Sequence, residues 1–102
     1  GIGVSRYEVY VIPAAWEEMK DLPGHLRQRV KRAVDGFSRN PRPSKSERLD
    51  VSEVEFEVRR LRLDRWRIVY AITEDEKWVD VLAVRKRPPY DYGDLAELLE
   101  SV

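Results

Sequence analysis

Between Val54 and Arg87 the apolar residues recur with period two, and this stretch does most to limit what the chain can fold into. Val54, Phe56 and Val58 alternate with Glu53, Glu55 and Glu57. Leu61 and Leu63 alternate with Arg60 and Arg62. In "RWRIVYAIT", Trp66, Ile68, Tyr70 and Ile72 take one face and Arg65, Arg67, Val69 and Ala71 the other. The acidic turn "EDEK" then leads into "WVDVLAVRKR". Alternation of this kind fits strands, and turns this tight join antiparallel neighbours, so a three-stranded meander is expected. At Arg59 and Arg60 the apolar residues move from even to odd positions. A one-residue slip turns side chains to the other face, and a bulge or bend near Arg59 is the simplest repair.

The N-terminal half has a different period. "RYEVYVI" places Tyr7, Val9 and Val11 on one side of a first strand that Pro13 ends. Proline suits the first turn of a helix, where its missing N–H is not needed, and "PAAWEEMKDL" carries Trp16 and Met19 at helical spacing before a stop at Pro23-Gly24. From His25 to Arg39, the residues Leu26, Val30, Ala33, Val34 and Phe37 make one apolar stripe, with Arg27, Arg29, Lys31 and Arg32 off it. "RNPRPSKSE" breaks all periodicity and reads as a surface loop. After the last strand "PPYDYGD" interrupts, and "LAELLESV" is a short helix with Asp94 near its start. The expected fold is α+β: a mainly antiparallel four-stranded sheet with two N-terminal helices packed on it and a short C-terminal helix. Trp16 and Trp66 are assigned to the core, and His25 to the surface.

With 102 residues there is room for one domain and one modest core, taken as residues 4–102. Gly1–Gly3 is set aside as a cloning scar or processing product. There is no cysteine and a single His25, so neither disulfides nor a protein metal site is expected, and no cofactor is implied. No apolar run approaches the roughly 20 residues of a membrane span, and no signal peptide is evident. A cytoplasmic setting is expected.

Charge is the second constraint. Charged residues make up 37% of the chain, against roughly 25% in an average protein, yet the net charge is zero. That zero conceals a dipole. Five arginines stand between Arg59 and Arg67 against one acid, Asp64, and Arg85, Lys86 and Arg87 follow in succession. On neighbouring strands Arg60, Arg62, Arg67, Arg85 and Arg87 come within reach of one another. Guanidinium groups so placed repel by about 1 to 4 kcal/mol per pair at close surface distances, which an intervening phosphate relieves. Arg60, Arg62, Arg65, Arg85 and Lys86 are therefore candidate phosphate-binding residues. The plainer alternative is a solvated face with its arginines paired across strands to acids such as Glu53, Glu55 and Glu57. Tyr90 and Tyr92 follow the cationic strand end, where a ring beside arginines suits a nucleobase and its phosphate.

These residues also carry a resemblance. "RLRLDRWRIVYAI", an acidic turn, "VDVLAVRKR" and a late tyrosine resemble the signature of the RelE/ParE superfamily of toxins from bacterial toxin-antitoxin systems. "PAAWEEMKDLP", the basic second helix and "NPRP" before "RL" agree in order and spacing, so the resemblance runs from Tyr7 to Tyr92. It implies a cognate antitoxin as partner and one of two activities, since the superfamily divides into RNA-cleaving and gyrase-poisoning members; a catalytically weak, RNA-binding relative is the third alternative. RelE-like members cleave messenger RNA in the ribosomal A site without a metal, by attack of the ribose 2′-OH on the neighbouring phosphate. By this likeness Arg67 is the phosphate-contacting arginine, Arg60 and Arg62 hold flanking cationic positions, and Arg87 stabilises or protonates the leaving group. Tyr90 or Tyr92 takes the place of the late tyrosine. With Arg67, Arg87, Tyr90 and Tyr92 as the catalytic set, two departures stand out. Val58 and Arg60 replace lysines, and a guanidinium is a very poor base. Pro88 and Pro89 replace the usual run before the tyrosine.

Overall fold

The computed structural model describes residues 6–51, 54–86, 93–100 and 102. Among them the chain forms β1 (Glu8–Val11), α1 (Pro13–Lys20), α2 (Gly24–Gly36), β2 (Ser46–Leu49), β3 (Glu57–Leu63), β4 (Trp66–Thr73), β5 (Trp78–Lys86) and α3 (Leu95–Leu99). The sheet order is β1-β5-β4-β3-β2. β1 runs parallel to β5, with Glu8 opposite Trp78, and the other three pairings are antiparallel. The sheet thus has five strands and is mixed, where four were expected. The additional strand, β2, lies where Pro41 and Pro43 hide any alternation, and only the four residues beyond them pair with β3.

Helix α2 lays its stripe on one face of the sheet. Phe37, just past its end, stacks on Tyr70 with ring centroids 4.0 Å apart, and Val30, Val34, Ile68, Tyr70, Ile72, Val79 and Val81 are all buried. Pro13 opens α1, as its position predicts. Trp16, however, is 52% exposed, because a helix of eight residues buries only Ala15 and Met19. Trp66 is half-buried against the core.

The opposite face is covered in part. Val58, Val69, Ala71 and Ala83 face away from Tyr70 by register and are nonetheless buried, in one cluster with Leu98 and Leu99 of α3. Burial on both faces explains the change of phase at Arg59. Val58 is buried on one side and Leu61 on the other, and β3 runs without a bulge from Glu57 to Leu63. The irregularity lies instead between Val69 and Tyr70 on β4, where Leu82 of β5 is the extra residue. β3 also starts later than the alternation suggests, at Glu57.

Beyond the end of β1 the edge of β5 is closed by a side chain. Glu18 of α1 accepts from the Val84 N–H at 3.0 Å and from Arg85 Nε at 2.5 Å. Among the described residues no helix is long and apolar enough to cross a membrane.

Candidate phosphate-binding site

Register determines which cations meet. Arg62 pairs with Arg67, and Arg67 with Arg85, so these three side chains stand in one row on the face away from α2. Ser46 pairs with Leu61, and the Arg62 N–H donates to the Lys45 carbonyl at 3.4 Å, which puts Lys45 at the end of the same row. Like charges directly opposite on adjacent strands are destabilising unless an anion intervenes.

Arg85 and Arg67 of the row, and Arg60 beside it, meet this repulsion differently. Arg85 is held between Glu18 and Asp94, so it joins α1 to the start of α3. Burial opposes its charge, but the hydrogen bonds to Asp94 and Glu18 outweigh that and raise its pKa above the ordinary arginine value. It lies in the lining of neither hollow described below, and its ion pairs run to Glu18 and Asp94. Arg67 turns its guanidinium to the carbonyls of Asp64 and Trp66, at 2.9 and 3.0 Å. Arg60 reaches across to Glu47 on β2, with contacts of 2.7 and 3.2 Å. The hydrogen bond from Arg60 does most to hold the Glu47 carboxyl below its usual range, and the charges of Arg62 and Arg67 add to it.

Two contiguous hollows result. One, of about 210 Å³, is lined by Ser44, Lys45, Glu47, Arg60, Arg62 and Arg67. The other, of about 350 Å³, is lined by Arg29, Lys45, Arg62, Leu63, Asp64 and Arg67. Among the described residues they together bring five cations against two carboxylates. Arg60, Arg62 and Arg67 line one hollow together. Arg65 does not line either hollow: it lies with Asp64 in the two-residue turn between β3 and β4. Lys86 pairs with Trp66 and so belongs to the other face. Arg87, Tyr90 and Tyr92 lie outside the described residues.

Lys45 and Arg29 were not foreseen. Lys45 is delivered by the segment before β2, which is pinned from several sides. The Tyr70 hydroxyl donates to the Pro41 carbonyl at 2.7 Å, Ser46 Oγ donates to the Pro43 carbonyl at 2.6 Å, and Arg42 bridges Glu57 and Glu74 at 3.1 and 2.8 Å. Arg29 reaches the site from α2 through Asp64, at 2.6 Å. Its position off the apolar stripe was visible in the sequence, but the packing that aims it was not.

With this geometry established, comparison with known proteins is informative. A family model described as the ParE toxin of type II toxin-antitoxin system, parDE, matches residues 9–88. The chain belongs to that family. It is a toxin of a type II toxin-antitoxin system, within the RelE/ParE superfamily. The toxin also shares its fold with solved RelE structures. One is the archaeal RelE–RelB complex from Pyrococcus horikoshii, with TM-score 0.74 at 19% identity over 83% of this chain and 99% of that one. Another is the toxin-antitoxin complex RelBE2 from Mycobacterium tuberculosis, with TM-score 0.67 at 23% identity over 80% and 99%. A doubly arginine-substituted Escherichia coli toxin RelE in the free state gives 0.65 at 18% identity over 95% and 98%. No curated protein matches the toxin.

Proposed function

We propose that this toxin is a ribosome-dependent messenger RNA endoribonuclease of the cytoplasm, acting without a metal and restrained by a cognate antitoxin. The observation that carries the reading is the convergence of Lys45, Arg60, Arg62 and Arg67 around one opening on the sheet face away from α2. In the reaction the 2′-oxygen forms a bond to phosphorus and the bond to the 5′-oxygen breaks, leaving a cyclic phosphate. A proton leaves the 2′-OH, and another is given to the departing oxygen. Guanidinium groups fixed around the phosphate stabilise the extra negative charge of the transition state. Lys45 adds a lysine cation to this opening, where Val58 and Arg60 stand at the family's lysine positions. Arg87, with Tyr90 or Tyr92, is assigned the leaving-group side by resemblance.

A second reading is a gyrase poison without enzymatic activity, favoured by the ParE description of the matching family. One experiment separates the two: induce the toxin, map messenger RNA 5′ ends, and assay gyrase-linked DNA breaks in the same cells. New 5′ ends within translated frames, without DNA breaks, are expected. Breaks without new ends select the gyrase poison.

A further inference from the structure

We infer that the larger hollow is a second phosphate subsite, in which Arg29 and Lys45 take the phosphate next to the one held by Arg60, Arg62 and Arg67, with Asp64 as its displaceable internal anion. The inference rests on the RNA-cleaving reading. It starts from the division of labour between the two hollows. They share Lys45, Arg62 and Arg67, so they are continuous, and each adds one cation and one carboxylate of its own. The smaller adds Arg60 with Glu47 at 2.7 Å. The larger adds Arg29 with Asp64 at 2.6 Å. Both carboxylates are well exposed, 68% and 72%, and exposed ion pairs exchange readily for a better-charged partner. Each lobe thus already holds one anion against its own arginine.

A strand carrying one negative charge per nucleotide matches two adjacent lobes better than an acidic peptide does. Among the described residues Leu63 is the single apolar one in the two linings, whereas guanidinium and ammonium groups suit phosphate oxygens. Arg29 comes from α2 and the other cations from the sheet or the chain entering it, so the second lobe exists only in the folded chain. Asp64 has φ 54°, in the left-handed region that asparagine tolerates well, so Asp64→Asn removes the charge and keeps the turn.

The test measures binding of two uncleavable 2′-O-methyl RNAs, a dinucleotide with one phosphodiester and a trinucleotide with two, at several salt concentrations. For the wild-type toxin the slope of log K against log salt should be steeper for the trinucleotide by about 0.7. Arg29→Gln should weaken the trinucleotide roughly tenfold and reduce its slope to that of the dinucleotide, whose own affinity stays within about twofold. Asp64→Asn should tighten the trinucleotide several-fold, by about the reverse of the same interaction. Equal slopes in the wild type, equal weakening of both ligands by Arg29→Gln, or no response to Asp64→Asn would overturn the subsite while leaving the smaller hollow intact. Failure of the wild type to bind either RNA would remove the RNA reading as well. Thermal melts confirm that both variants fold, as exposed positions allow.

Discussion

Arg59 and Arg60 are adjacent on one strand, and the two faces of the sheet use them differently. On the face toward α2, Arg59 donates to Glu57 at 2.6 Å and to the hydroxyl and carbonyl of Ser46, and only 15% of its side chain is exposed. Arg42 completes that arrangement by bridging Glu57 and Glu74. On the other face Arg60, Arg62, Arg67 and Lys45 line the smaller hollow with Glu47 as the one acid among the described residues. The first cluster balances its arginines with acids, and the second gathers more cations than acids, although Arg85 on the same face is paired with Glu18 and Asp94. The surroundings of a guanidinium thus depend on the acids its parity brings within reach, not on its type.

This contrast can be broken by substitution. The largest effect is expected at Arg67. Arg67→Ala should lower RNA cleavage by about 10² to 10³-fold, as loss of one transition-state donor does, while the melting temperature barely changes. Toxicity retained by soluble Arg67→Ala protein would contradict the assignment. Arg59→Ala should do the reverse: a loss of about 2 kcal/mol in chemical denaturation, because a half-buried Glu57 loses a charged partner, with cleavage preserved in the folded fraction. Arg85→Ala tests the pairing with Glu18 and Asp94. A smaller loss of about 1 kcal/mol is expected, with faster amide exchange in α3, since Asp94 and Glu18 lose their common partner.

The smallest effect concerns acid. Lys77, then Arg42 and Tyr7, hold the Glu74 carboxyl at about 2, against an ordinary 4.5. A carboxyl depressed by folding stabilises above its ordinary value, and that contribution is lost as pH falls through 4.5 toward 2. Denaturation curves for Glu74→Gln should therefore approach those of the wild type as pH is lowered across this window. A difference independent of pH would show that the charge is not the cause.

The legible part of this molecule was the part governed by local period and tight turns. Strict alternation through "RWRIVYAI" and a two-residue turn at Asp64-Arg65 fix the partnering of Arg62 with Arg67, so the centre of the cationic row could be read directly. The stripe Leu26, Val30, Ala33, Val34 and Phe37 was equally direct: Ala33 is partly buried and the other four are buried. What could not be read depends on contacts far apart in the chain. β2 is concealed by prolines, Lys45 reaches the row only because Tyr70, Arg42 and Ser46 pin the segment before it, and Glu18 closes a strand edge 66 residues away. The change of phase at Arg59 was real, but its cause was cover on both faces rather than a bulge, and a one-dimensional pattern does not separate those.

The most direct test of the account observes the arginine side chains themselves. In a titration of the toxin with 2′-O-methyl RNA, followed by the Nε–H resonances of its arginines, the signals of Arg62 and Arg67 should move and saturate together while that of Arg59 stays in place. Equal movement of Arg59, or shifts confined to arginines of α2 outside the two hollows, would contradict the claim that the sheet face away from α2 is where the toxin holds phosphate.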